Sequence, residues 1–159
     1  MKRAISLLAM WCALGACQQA PPPSYVRLSG TAPAVEVVAP QGAVLVVFWA
    51  SWCPPCRTEA PGLQALARSP PEGLRVVTFS RDSSLDAVEH FFEGRVPPEL
   101  ALRLDEGGQA TRALAGEPLP TSILIVEGRL VARFTGPRDW DSAGMRRLLA
   151  RLMTGPQAT

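Results

Sequence analysis

The feature that most constrains this chain is a pair of cysteines placed where an apolar run ends and a helical pattern begins. The run from Val44 to Ala50 is rich in β-branched and aromatic side chains, which is typical of a buried strand. The sequence Trp52-Cys53-Pro54-Pro55-Cys56 follows almost at once, and a helix is predicted from Pro54 to Arg68. The pattern therefore places Cys53 at the amino end of a helix that begins directly after a strand.

This position favours the thiolate form of Cys53. The unpaired N–H groups and the positive end of the dipole at a helix N-terminus stabilise an anion, and the thiolate is the form that attacks disulfides. Cys56 lies one turn later on the same side, so it can close a disulfide with Cys53 or displace a partner bound to it. We therefore expect the helix end to lower the pKa of Cys53. The lowering should be smaller than in strongly oxidising dithiol proteins, because Pro54 and Pro55 have no N–H to donate to the thiolate.

A Cys-x-x-Cys pair can also bind zinc or form a purely structural disulfide. A zinc site needs four ligands, and the remaining candidates are Cys12, Cys17 and a single histidine, His90. Both of these cysteines lie in the predicted leader described below, so no second ligand pair is available for zinc. A purely structural disulfide is the simpler alternative, and the strand before the motif and the helix after it argue against it.

Composition and charge narrow the class of protein further. The 159 residues suit one domain with a substantial core. The chain has 16 basic and 14 acidic residues, and removal of Lys2 and Arg3 with a leader would leave 14 of each. The sequence has no run of basic residues and no alternation of basic and aromatic residues. Nucleic acid is therefore not an expected partner.

The N-terminus predicts export and lipid attachment. Two basic residues precede a short apolar segment, Ala4 to Leu14, which is typical of a signal peptide rather than a membrane span. The following Leu14-Gly15-Ala16-Cys17 resembles the lipobox of bacterial lipoproteins, which implies residues 1–16 as the signal peptide and a lipid on Cys17. The alternative is ordinary cleavage nearby with Cys17 as a free thiol. Residues 17–32, with Pro21-Pro22-Pro23, are expected to form an extended tether.

Residues 33–155 predict a single α/β domain. Strands are expected around Val35–Val38 and at Val44–Trp49, Leu74–Phe79, Leu100–Leu104, Ile123–Val126 and Arg129–Thr135. Helices are expected at 54–68, at 85–93 with Leu85 inward, at 109–114, and from a cap at Asp139 or Asp141 to about Met153. The order β-β-α-β-α-β-α-β-β-α predicts a mixed sheet flanked by helices on both faces.

Three stretches resemble the thioredoxin-like superfamily, and within it the TlpA/ResA group of bacterial thiol-disulfide oxidoreductases. They are Val46 to Pro61 with the CxxC, Pro120 to Ile125, and the hairpin from Gly128 to Gly136. The resemblance implies a thioredoxin-like fold and a cis peptide bond before Pro120. That bond would turn the backbone of Leu119 towards a substrate segment beside Cys53. It also implies substrate contacts from residues next to the cysteines, namely Trp52, Pro54 and Pro55.

The sequence departs from the group where a proton acceptor is expected. Thioredoxin carries a buried acid at the position of Val47, where many TlpA-like proteins carry asparagine. The stretch from Thr78 to Arg81 also lacks the glutamate that some members carry there. Glu59 is expected on an exposed turn, where it would be a poor candidate. The sequence therefore leaves the group that deprotonates Cys56 unassigned.

The resemblance implies a lipid-anchored thiol-disulfide oxidoreductase facing the periplasm. Cys53 would attack a protein disulfide and Cys56 would resolve it, without any cofactor, as in cytochrome c maturation or copper-site assembly. Because the periplasm is oxidising, reduction would need an upstream membrane thiol-disulfide electron donor. The alternatives are a disulfide-forming oxidant, a copper-handling or scaffold protein, and a peroxidase, for which the chain offers no separate peroxidatic cysteine.

Overall fold

The computed structural model describes residues 42–155 and the backbone of 26–28 and 35–37. The strands are β1 (Val26–Leu28), β2 (Val35–Val37), β3 (Ala43–Trp49), β4 (Leu74–Ser80), β5 (Arg103–Leu104), β6 (Thr121–Val126) and β7 (Arg129–Thr135). The helices are α1 (Pro54–Arg68), α2 (Leu85–Phe91), α3 (Gln109–Ala113) and α4 (Ala143–Thr154), with short 3₁₀ turns at Pro98–Leu100 and Glu106–Gly108. The predicted order of strands and helices from residue 43 onwards is confirmed.

Strands β3 to β7 form a mixed sheet in the order β5-β4-β3-β6-β7. The central strand β3 runs parallel to β4, with Trp49 opposite Ser80, and antiparallel to β6, with Phe48 opposite Thr121. Strand β7 returns from β6 through the turn at Glu127 and Gly128, as predicted. The carboxyl ends of β3 and β4 and the amino end of β6 therefore meet at one edge of the sheet.

Alternate residues of β3 bury against different helices, so the two faces of the sheet carry separate cores. Ala43, Leu45 and Val47 pack with Leu63 and Leu66 of α1 and with Leu149 of α4. Val44, Val46 and Phe48 pack on the other face with Ala110 of α3. Because β3 is covered on both faces, it reads as a continuous apolar run. The predicted α/β class, with helices on both faces of a mixed sheet, is confirmed.

Three local expectations change. The strand predicted around Val35–Val38 is present as β2, but it pairs antiparallel with β1 in a separate two-stranded sheet, and β1 lies inside the segment predicted as a tether. The side chain of Leu85 is 44% exposed rather than inward. Ser142, not Asp139 or Asp141, caps α4, because its side chain accepts a hydrogen bond from the amide of Met145.

The signal peptide at 1–16 and the lipidation site Cys17 lie outside the described residues. Within the part of the chain that the structure covers, no helix is both long and apolar enough to cross a bilayer.

Candidate active site

Cys53 and Cys56 form a disulfide at the point where β3 leads into α1. Cys53 is the N-cap of α1, with extended backbone, and Pro54 and Pro55 are the first two helical residues. The Cα atoms of the two cysteines are 5.3 Å apart. The amide of Cys53 donates to Ala50 O at 3.2 Å, which closes the turn between strand and helix. The sequence prediction of a cysteine at the helix tip with its partner one turn on is confirmed.

The residues predicted to contact a substrate lie around this disulfide. Trp52 is 63% exposed and Pro54 is also exposed, whereas Pro55 is half-buried. Leu119 packs against the apolar cluster that contains both cysteines. The peptide bond between Leu119 and Pro120 is cis, as expected, and so is that between Glu117 and Pro118. The fold thus brings these residues together, and their role in binding a substrate stays a prediction.

Glu59 is buried, so the expectation that it lies on an exposed turn is wrong. The side chain is 4% exposed on the inner face of α1. Its Oε2 accepts hydrogen bonds from the amide of Arg138 and from Nε1 of Trp140, both at 3.0 Å. Trp140 belongs to the core cluster that also contains Val47. Glu59 therefore places a buried acid on the side of the sheet that Val47 faces.

Burial raises the pKa of Glu59 from its ordinary value of 4.5 to about 7. Desolvation penalises the charged form and is the largest effect. The hydrogen bonds from Arg138 and Trp140, and the positive charge of Arg138, act in the opposite direction and only partly offset it. Glu59 can therefore gain or lose a proton near neutral pH, which is what a proton acceptor for a thiol requires.

A small internal cavity connects Glu59 with Cys56. Trp49, Cys56, Glu59 and Thr78 line it together with apolar residues, and it offers about 10 Å³ for the centre of a water-sized molecule. Trp49 Nε1 and Glu59 Oε1 are buried, and neither has a hydrogen-bond partner within residues 42–155. Since Oε2 already accepts two hydrogen bonds, the proton of a neutral Glu59 belongs on Oε1. Cys56 and Glu59 therefore line one small, largely apolar space with room for at most one water molecule.

Glu59 also reaches a second space, on the surface. A cleft of about 300 Å³ is lined by Glu59 together with Thr58, Gly62, Pro137, Arg138 and Asp139. Glu59 therefore stands between the cavity that contains Cys56 and a cleft open to solvent.

Sequence reasoning missed Glu59 although one signal was present. Cys56 and Glu59 are three residues apart on a predicted helix, so they lie on the same face. Its two hydrogen-bond partners come 79 and 81 residues later in the chain. The local pattern does not contain that information.

Fold and site together define a protein of the thioredoxin-like class with a Cys-x-x-Cys disulfide at the N-terminus of its first long helix. Residues 18–133 match the AhpC/TSA family. Because this match covers more than half of the sequence, the chain belongs to that family.

Named relatives agree with this assignment. The chain is 30% identical over 127 residues to the thiol:disulfide interchange protein HelX of Rhodobacter capsulatus, a match that covers 78% of this chain and 70% of the relative. It is 28% identical over 95 residues to the thiol-disulfide oxidoreductase ResA of Bacillus thuringiensis subsp. konkukian, covering 58% of this chain and 54% of ResA. The chain thus spans about half the length of that ResA.

A solved structure gives the same picture of the fold. The crystal structure of a putative thiol:disulfide interchange protein DsbE from Chlorobium tepidum superposes with a TM-score of 0.59 at 32% identity. The match covers 71% of this chain and 82% of that protein.

Proposed function

We propose that this protein exchanges disulfides with protein substrates through Cys53 and Cys56, in the reducing direction. The observation that carries the proposal is the disulfide at the tip of α1, next to the exposed Trp52 and to Leu119. The names of its relatives, thiol:disulfide interchange protein and thiol-disulfide oxidoreductase, support the same chemistry.

The reaction transfers two electrons in two displacements. The Cys53 thiolate attacks one sulfur of the substrate disulfide, so that a mixed disulfide forms and the other substrate sulfur leaves as a thiolate. Cys56 then loses its proton and attacks the sulfur of Cys53. The mixed disulfide breaks, the Cys53–Cys56 disulfide forms, and the second substrate thiolate leaves. The protein pair is oxidised, the substrate disulfide is reduced, and solvent protonates the substrate thiolates.

Glu59 is our candidate for the group that takes the proton of Cys56. Both residues line one buried cavity, and Oε1 of Glu59 is the carboxyl oxygen without a partner within residues 42–155. A pKa of about 7 lets the carboxylate accept the proton and later release it into the cleft beside Arg138. No cofactor is required, because the cysteine pair itself carries the two electrons.

The setting of this exchange is a further part of the proposal. The leader and the Cys17 motif favour a lipid-anchored protein that faces the periplasm, with a membrane thiol-disulfide carrier returning electrons to the cysteine pair. The resemblance to the TlpA/ResA group favours substrates of the kind that arise in cytochrome c maturation or copper-site assembly. Lipid attachment is tested by feeding labelled palmitate to a bacterial host that expresses the full chain: the label should be lost in Cys17→Ala.

Trapping a substrate tests the exchange itself. In Cys56→Ser the resolving thiol is absent, so the mixed disulfide on Cys53 should accumulate when the reduced protein meets a protein disulfide. Cys53→Ser is the matched control, because it keeps one cysteine in the motif but lacks the attacking one. We expect adducts that a reductant releases in Cys56→Ser and few or none in Cys53→Ser. Equal trapping by both variants, or by neither, would contradict the proposed roles.

A further inference from the structure

A second buried carboxylate, Asp82, lies at the same edge of the sheet. It follows the end of β4 by two residues, and its side chain is only 3% exposed. The cap of the following helix α2 is Ser84, so Asp82 does not serve that helix. A carboxylate this deeply buried needs hydrogen-bond donors, and the donors to Asp82 show which part of the protein it holds.

Asp82 binds the turn that leads into the cysteine motif. Its Oδ2 accepts a hydrogen bond from the amide of Ser51 at 2.9 Å, and its Oδ1 accepts one from the Ser51 hydroxyl at 2.6 Å. The hydroxyl of Ser80 donates to Oδ2 at 2.5 Å and accepts from the amide of Asp82 at 3.0 Å. The carboxylate therefore fixes Ser51, two residues before Cys53, to the end of the neighbouring strand.

Both oxygens of Asp82 only accept hydrogen bonds, which is the pattern of an ionised carboxylate. Its three donors are one amide and two hydroxyl groups, and all are neutral. The adjacent Arg81 does not supply a counterion through these contacts, because its guanidinium lies 3.9 Å from the carboxylate of Asp105 and donates to Asp105 O. The negative charge thus sits inside the protein next to the active-site turn.

The carboxylate binds Ser51, two residues before Cys53, and this contact brings its charge near the cysteine. The Cα atoms of Ser51 and Cys53, which are two peptide units apart, are separated by at most about 7.6 Å. A negative charge roughly 10 Å from a developing thiolate, across a partly buried site, changes its stability by about tenfold. Like charge disfavours the thiolate, whereas the N-terminus of α1 favours it.

We propose that Asp82 is a positioning residue of the redox site that holds the turn at Ser51 and keeps the cysteine pair reducing through its negative charge beside Cys53. A thiolate stabilises the reduced state of a dithiol pair, so a charge that disfavours the thiolate lowers the reduction potential. This inference rests on the exchange function proposed above. It also explains how a cysteine at a helix tip can serve a reductant rather than a strong oxidant.

The test compares reduction potentials of full-length variants equilibrated with dithiothreitol buffers at pH 7. Asp82→Asn removes the charge but keeps the size of the side chain and one carbonyl oxygen that can accept from the amide of Ser51. Asp82→Ser is a second neutral variant. We expect both to raise the potential by up to about 30 mV, the value for a tenfold change with two electrons, which is reached where Cys53 is fully ionised at pH 7. Alkylation of the reduced proteins should show the pKa of Cys53 lowered by about one unit in both variants.

Ser80→Ala is the matched control. It removes one hydrogen bond to the same carboxylate but leaves the charge and the contacts with Ser51, so its potential should equal that of the wild type. The proposal is overturned if both neutral variants keep the wild-type potential, or if Ser80→Ala shifts it as far as they do. Failure of the exchange function looks different, because then the wild-type pair itself would not equilibrate with the buffer.

Discussion

Replacing the buried Glu59 by glutamine should change how stability depends on pH, in a direction fixed by its pKa. The folded protein holds the proton of Glu59 up to about pH 7, whereas the unfolded chain releases it near 4.5. Below pH 4.5 Glu59 is protonated in both the folded and the unfolded state, so its ionisation does not affect the free energy of unfolding. Between pH 4.5 and pH 7 Glu59 ionises in the unfolded chain but stays protonated in the folded protein. Its ionisation therefore lowers the free energy of unfolding of the wild type as the pH rises.

The size of the effect follows from the same two values. One pKa unit corresponds to 1.36 kcal/mol, so a rise from 4.5 to about 7 corresponds to about 3 kcal/mol above pH 7. That is a large part of the roughly 5–15 kcal/mol by which domains are usually stable. Glutamine cannot ionise, and its carbonyl can still accept from the amide of Arg138 and from Trp140 Nε1. The free energy of unfolding of Glu59→Gln, relative to that of the wild type, should therefore rise by about 3 kcal/mol from pH 4.5 to pH 8.5.

The measurement is the free energy of unfolding in urea at these two pH values. The protein is kept oxidised so that Cys53 and Cys56 do not titrate. Glu72→Gln makes the same chemical change at an exposed position, and the effect of Glu59 is its excess over this control. A difference between Glu59→Gln and wild type that stays constant with pH, or that favours the wild type more at pH 8.5, would refute the burial of an ionisable Glu59.

Two other predictions concern neighbouring contacts. Trp140→Phe keeps an aromatic ring but removes the Nε1 donor that lowers the pKa of Glu59. In this variant, the fall in stability with rising pH should therefore continue to a higher pH than in the wild type. Urea unfolding repeated at intervals between pH 4.5 and pH 8.5 measures this limit, and an unchanged limit would contradict the contact. Gly116→Ala would place a Cβ 2.5 Å from the ring of Phe48, so we expect a loss of about 1–3 kcal/mol. Gly144→Ala, where a Cβ meets nothing within 4 Å, is the control and should lose nothing. Equal effects of the two alanines in thermal unfolding would show that position 116 is not tightly packed.

The sheet and the cysteine pair could be predicted because their signals are local. The apolar run of β3, the motif at the start of α1 and the hairpin turn at Glu127 and Gly128 each fall within a few residues. The cis bond before Pro120 followed from the family resemblance rather than from the residues themselves. These features needed no knowledge of which distant segments meet.

The two buried carboxylates could not be found in this way. Glu59 is covered by Trp140 and the amide of Arg138, which come from the segment between β7 and α4. Asp82 meets Ser51 only because β3 and β4 lie side by side and end together. An acid in a helical or loop pattern is expected on the surface, and only the packing of distant segments reverses that expectation.

The central claim is that Cys53 and Cys56 act as one reducing dithiol, and the reduction potential of the pair tests it most directly. The full chain is equilibrated with graded ratios of reduced and oxidised dithiothreitol, and free thiols are alkylated and located by peptide mass. We expect both cysteines to change together in one two-electron transition at about the potential of thioredoxin, roughly −270 mV. A pair that never exchanges, or a transition near the roughly −120 mV of a strong oxidant such as DsbA, would contradict the account.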